Sequence, residues 1–107
     1  MKHIGRALGI FALVSILAAS AHATSTVNIT TTGCQTDGHC FAGVTPAITG
    51  SGCADGSQIR FLPTADAGAK FMYETVLAAL LSGKSVVVQT AACLDGFVWP
   101  SYILVLR

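Results

Sequence analysis

Four cysteines constrain this chain more than any other feature, because an even number of cysteines in a short exported chain predicts a disulfide framework. They are Cys34, Cys40, Cys53 and Cys93, and they allow three pairings. We predict one bond between Cys34 and Cys40 and another between Cys53 and Cys93. The first bond requires a wide loop across residues 35–39. A tight turn at Asp37-Gly38 would instead place Cys40 and Cys34 on different sides of the hairpin.

The cysteines could also be considered as metal ligands together with His39. Such a site would combine His39 with Cys34, Cys40 and Cys53, whose spacing matches no regular zinc pattern. Thiols in an exported protein also tend to oxidise. We therefore predict disulfides and no metal or cofactor.

The first 23 residues have the pattern of an export signal. Lys2 and Arg6 precede an apolar run at residues 7–19, and Ala21-His22-Ala23 provides small residues before a cleavage point. A membrane helix is the competing interpretation, but a run of this length spans only about 20 Å, whereas a bilayer core is roughly 30 Å thick. The prediction is a signal peptide at residues 1–23, followed by a single domain at residues 24–107 that is secreted or periplasmic and does not span a membrane.

Charge excludes one class of function. Without the signal, four basic residues remain against five acidic residues, which gives a net charge of −1. Proteins that bind nucleic acids electrostatically concentrate positive charge on one face. We therefore do not expect a nucleic-acid partner.

The pattern of apolar residues predicts five strands and one helix. The strands are expected at residues 25–32, 41–45, 57–62, 85–90 and 102–106, with the helix at residues 65–82 between the third and fourth strands. This β-β-β-α-β-β order is that of the five-stranded OB barrel. The predicted fold class is thus a small, mostly β, α+β domain with an OB-like barrel and two disulfides. An open sheet covered by one helix is the alternative.

The helix has clear boundaries and one apolar face. Thr64 or Asp66 is suited to the N-cap, and Gly83 to a left-handed stop. Helical spacing puts one set of residues against the sheet: Ala69, Met72, Tyr73, Val76, Ala79 and Leu80, with Leu77 at the edge. Phe71 and Leu81 fall outside this face. Either loops cover them or they contact another chain of an oligomer.

No catalytic pattern is found in the sequence. Residues 82–85, Ser-Gly-Lys-Ser, match the end of a phosphate-binding loop but close a helix instead of opening one. Gly50-Ser51-Gly52 lacks the spacing of a nucleophilic elbow. His39 is the only histidine after the signal, and no spacing around it sets up a relay. We predict that the protein is not an enzyme.

Aromatic residues gather around Pro100. They are Phe97, Trp99 and Tyr102. A flat ring with a polar tip can stack on a sugar or cover a partner surface, which makes Trp99 and Tyr102 candidate ligand contacts. The alternative is that Tyr102 and one neighbour fill the interior of the barrel.

Residues 53–106 also resemble a known family. They contain Cys-Ala-Asp-Gly, a strand, a helix ending in Leu-Ala-Ala-Leu-Leu-Ser-Gly-Lys-Ser-Val, then Cys93 and a closing apolar strand. This arrangement is similar to that of small exported bacterial proteins related to the binding subunit of subtilase cytotoxin. The resemblance implies an OB-like domain, and its toxin members form rings of five that bind sialylated glycans on cell surfaces. No sugar-binding position of that family can be matched to a residue here.

These observations lead to one leading hypothesis and two alternatives. The first is a secreted, non-catalytic binding module for a glycan or cell-surface receptor, able to form a homo-oligomer and to carry a toxin subunit. The second is a periplasmic structural or interaction protein. The third is a small secreted enzyme or an inhibitor of one.

Overall fold

The computed structural model describes residues 24–107, and the predicted export signal at residues 1–23 lies outside the described residues. Five strands and one helix follow each other in the predicted order. They are β1 (Thr24–Cys34), β2 (Cys40–Thr45), β3 (Gln58–Phe61), α1 (Ala67–Ser82), β4 (Ser85–Leu94) and β5 (Phe97–Val105). The structure therefore confirms a small α+β domain with one helix between the third and fourth strands.

The strands form one sheet that closes into a ring. Their order is β1-β2-β3-β5-β4, and β4 pairs with β1 to complete the circuit. Each pair is antiparallel except β3 with β5, which run parallel with Ile59 opposite Val98. Because β3 has only 4 residues and β5 has 9, β3 can pair with only part of β5.

The last two strands are longer than the sequence pattern predicts. β4 continues past Thr90 to Leu94, and β5 begins at Phe97 instead of Tyr102. A two-residue turn joins them, in which Asp95 and Gly96 have positive φ angles of 55° and 83°. Such a turn matches the twist of a hairpin and lets the strands pair up to its edge, with Leu94 opposite Phe97.

Side chains from all five strands fill the interior of the ring. Alternate residues along each strand point inward, as expected for a sheet with one covered face. The inward residues that are almost fully buried are Val27, Ala42, Ile59, Phe61, Val86, Val88 and Val98. This apolar core fixes which face of each strand remains outside.

The helix packs mainly against β1 and β5. Asp66 caps its start by accepting a hydrogen bond from the Gly68 N–H at 2.8 Å, and Gly83 ends it with a φ of 68°. The predicted apolar face is confirmed. Its buried residues are Ala69, Val76 and Ala79, and Met72, Tyr73 and Leu80 pack against the core at its margin.

Both predicted disulfides are present. Cys34 and Cys40 face each other at the ends of β1 and β2, and residues 35–39 form the wide loop that this bond requires. Cys53 is bonded to Cys93 and ties the loop before β3 to β4. Two disulfides fit an oxidising environment, extracellular or periplasmic. Within residues 24–107, no helix is long and apolar enough to cross a membrane.

Candidate functional site

The outward side of β5 carries a row of aromatic and aliphatic side chains. Val98 and Pro100 are buried, so their neighbours Phe97 and Trp99 face outward and are half-buried. Tyr102 and Leu104 continue the row and are 38% and 53% exposed. We call these four residues, Phe97, Trp99, Tyr102 and Leu104, the β5 outer face.

A β-bulge aligns the two halves of this row. Gln89 pairs with Tyr102 and Thr90 pairs with Pro100, which leaves Ser101 as an extra residue in β5. If Ser101 were paired like its neighbours, strict alternation after Pro100 would turn Tyr102 into the interior. The extra residue resets the alternation, and Tyr102 therefore shares a face with Trp99.

Polar groups border the β5 outer face. The Ser101 hydroxyl donates to the Gln89 side-chain oxygen at 2.7 Å. On the other side, Gln58 and Arg60 lie on the outward side of β3, because Ile59 between them is fully buried. The face therefore combines flat apolar rings with hydrogen-bonding side chains on both sides.

Arg60 lies between two aromatic rings. Its guanidinium carbon is 4.3 Å from the centre of the Phe97 ring and 5.8 Å from that of Phe41. Its Nε donates to the Gln58 side-chain oxygen at 3.1 Å. Only 12% of the Arg60 side chain is exposed, so it holds these rings in place more than it reaches solvent.

A histidine and an aspartate complete this part of the surface. One carboxylate oxygen of Asp95 lies 3.2 Å from Nδ1 of His39 and 3.9 Å from the Arg60 guanidinium. His39 Nδ1 is buried and not aligned for a hydrogen bond. We call His39, Phe41, Arg60, Asp95 and Phe97 the Arg60 cluster. Within residues 24–107, no hydroxyl or thiol hydrogen-bonds to the His39 ring, so the His39–Asp95 contact lacks the nucleophile of a relay.

The structure brings the predicted ligand contacts Trp99 and Tyr102 together on one outward face. The alternative that Tyr102 fills the interior is wrong, because the bulge turns it outward. Trp99 and Pro100 lie inside β5, which begins at Phe97. Proline is accommodated there because it adjoins the bulge.

The two helix residues outside the core face are uncovered. Phe71 is 66% exposed and Leu81 is 86% exposed. The interpretation that loops cover them is therefore wrong. They remain candidate contacts with another chain, separate from the aromatic row on β5.

Sequence reasoning misses the Arg60 cluster. Its members come from three separate parts of the chain, and the local pattern gives His39 and Asp95 only ordinary loop and turn roles. One signal is available, since Phe41 and Arg60 each lie next to buried residues and are cross-strand partners. Recognising the pair, however, requires the register of β2 on β3.

The described residues include no group of three or more histidine, cysteine or acidic side chains placed to hold a metal ion, and no pocket. The site is thus a surface on the outside of the ring. Comparisons of the chain with protein-family models, curated proteins and solved structures give no match. The likeness to the binding subunit of subtilase cytotoxin has no support from these comparisons.

Proposed function

We propose that the protein is an exported, non-catalytic module that binds carbohydrate on the β5 outer face. The observation that carries this proposal is the bulge at Ser101, which puts Phe97, Trp99 and Tyr102 on one side of a strand. Aromatic rings stack on the apolar faces of sugar rings, and nearby polar groups bind the hydroxyls. Gln58, Gln89 and Ser101 supply such groups.

The architecture of the domain also supports sugar binding. The strand order, the closure of the sheet and the place of the helix are those expected of an OB-like barrel, a scaffold that presents oligosaccharide ligands on its surface. Export to the periplasm or cell exterior agrees with the two disulfides. A ring of five subunits and a toxic partner remain predictions from the family resemblance.

Glycan-array binding of the disulfide-bonded protein tests the proposal. Trp99→Ala and Tyr102→Ala should each weaken binding by at least about tenfold, the effect expected when a stacking ring is lost. Phe71→Ala is the matched control, because it removes an equally apolar, exposed ring from the helix. Equal losses in all three variants, or no sugar bound by the unmodified protein, would contradict carbohydrate binding on this face.

A protein contact is the second candidate function. Leu104, 53% exposed, and Leu106, 39% exposed, extend the row with aliphatic side chains, which suit a protein surface better than a sugar. An unmodified protein that ignores all sugars but assembles stably would favour this alternative. Native mass spectrometry, run on the same samples as the array, separates the two.

A further inference from the structure

The second half of β5 has no strand beside it on the edge where β3 pairs with the first half. β3 ends at Phe61, and the pairing of Ile59 with Val98 places that end near Pro100. The remainder of β5, up to Val105, is paired with β4 on one side only. An open strand edge presents main-chain groups that another strand can bind.

The main-chain hydrogen bonds show which residues face this open side. The Leu106 N–H donates to the Ser85 carbonyl at 2.9 Å, so the main-chain N–H and C=O groups of Leu106 point toward β4. Alternation then directs Leu104 toward β4, and Ile103 and Val105 away from it. Within residues 24–107, no main-chain partner lies on that other side of Ile103 or Val105.

We propose that a second copy of this chain pairs with this edge, antiparallel and related by a two-fold axis through Leu104. This register sets Ile103 opposite the partner subunit's Val105, and Val105 opposite the partner subunit's Ile103. It satisfies the N–H and C=O groups of both residues in each chain. An added strand satisfies such main-chain groups along an exposed sheet edge.

The exposed side chains indicate that this strand is a second copy. Tyr102, Leu104 and Leu106 are 38%, 53% and 39% exposed. The proposed register places Leu104 against the partner's Leu104 and Tyr102 beside the partner's Leu106. The apolar side chains of the two copies then lie side by side on one face and bury part of each other's surface, as a two-fold interface requires.

The lack of charge on β5 also favours a second copy of the chain as the partner. Residues 97–106 contain no charged side chain, so two copies of β5 meet without repulsion. Charged residues are one means by which an edge strand avoids such pairing, and residues 102–106 contain none. Val105 is 40% exposed, which agrees with an edge that no strand covers.

This inference goes beyond sugar binding and is tested apart from it. Trp99 precedes the paired segment and stays outside the interface, so loss of sugar binding in Trp99→Ala bears on the sugar site alone. Tyr102 belongs to both surfaces and does not separate them, whereas cross-linking at position 104 bears on the pairing alone. The first test is Leu104→Cys. Two cysteines at the axis would lie about 4.5 Å apart between Cα atoms, close enough for a disulfide between copies.

Leu81→Cys is the matched control, because Leu81 is 86% exposed and thus more accessible than Leu104. We expect oxidised Leu104→Cys protein to run as a covalent dimer, with peptide mapping locating the bond at position 104 in both copies. Leu81→Cys should stay largely monomeric. Equal cross-linking in both variants would overturn the proposal, since it would reflect exposure alone.

Sedimentation of the unmodified protein supplies the second test. We expect a mass twice that of one chain, falling to the monomer in Val105→Pro, which removes an N–H with no partner inside the monomer. Leu104→Lys gives the same expectation through like charges at the axis, and it keeps the main chain intact should the proline variant fail to fold. A monomer up to millimolar concentration, or a ring of five unaffected by either variant, would overturn the proposal.

Discussion

Arg60 shows how one side chain can organise a surface that is built from distant parts of the chain. Its guanidinium contacts Phe97 on β5, its cross-strand neighbour is Phe41 on β2, and it lies near Asp95 in the hairpin turn. Arg60 on β3 therefore links β2, β5 and the β4–β5 turn through side-chain contacts, in addition to the main-chain pairing of the strands.

Replacing Arg60 by alanine should lower the free energy of unfolding by about 1–2 kcal/mol, because the ring contacts and the packing of the aliphatic stem are lost together. Arg60→Met keeps most of the stem and should cost less than about 1 kcal/mol. Urea unfolding measures both values. Equal losses in the two variants would contradict this expectation, because they would show that the aliphatic stem contributes little and that the contacts of the charged group account for the loss.

Asp55 should make the free energy of unfolding depend on pH. Hydrogen bonds from the Ser57 side chain and main chain lower the pKa of Asp55 below its ordinary value of 3.8. A group with a lowered pKa stabilises the folded protein above its unfolded pKa, and this contribution disappears as the pH falls through the folded pKa.

The variant Asp55→Asn isolates this effect. It should be less stable than the unmodified protein at pH 7, and the difference should shrink as the pH is lowered below about 4. Urea unfolding between pH 2 and pH 7 measures it. A difference that stays constant over this range would rule out the carboxylate as its source.

At the level of elements, two bulges determine which side chains the β4–β5 hairpin presents. Ser101 is unpaired in β5 and Ala91 is unpaired in β4. Because each strand has one extra residue, the register is the same at both ends of the hairpin. Only the pair Thr90 and Pro100, between the two bulges, has a shifted register. The irregular pairing at this point lets a proline lie inside the strand.

Inserting an alanine after Ser101 should destabilise the protein by more than about 2 kcal/mol. The insertion shifts the alternation by one residue, so the residues after it must either exchange their inward and outward faces or break their pairing with β4. Ser101→Ala removes only an exposed hydrogen bond to Gln89 and should cost less than about 1 kcal/mol. Thermal unfolding compares the two. An insertion no more harmful than the alanine variant would contradict the role given to the bulge.

For the whole molecule, the two disulfides differ in what they connect. The Cys34–Cys40 bond closes a local hairpin with a sequence separation of 6 residues. The Cys53–Cys93 bond has a separation of 40 residues and holds the loop before β3 against the end of β4. That loop is also bound by the Asp55 N–H, which donates to the Gly96 carbonyl at 2.9 Å.

Removing the long-range bond should therefore cost more. The chain-entropy model assigns roughly 4 kcal/mol to the larger closed loop and roughly 2 kcal/mol to the smaller one. The double variants Cys53→Ala/Cys93→Ala and Cys34→Ala/Cys40→Ala compare them without leaving free thiols, and guanidinium unfolding gives the two free energies. The reverse order of stabilities would show that loop closure is not the main contribution.

The sequence by itself determined the local elements of this protein. Helical spacing, Asp66 and Gly83 define α1, β-branched runs mark the strands, and the two disulfides follow one of only three pairings. Each of these depends on the preferences of residues close together in the chain. The start of β5 was less predictable. The turn at Asp95-Gly96 lets this strand begin at Phe97, five residues before the apolar run from which it was predicted.

Only the tertiary structure decided what the surface presents. The outward position of Tyr102 depends on a bulge in the register of β5 on β4. The Arg60 cluster requires β2, β3 and β5 side by side, and the open edge of β5 exists because β3 is short. Register and coverage are set by pairing between different strands, and local periodicity carries no information about them because it describes one segment at a time.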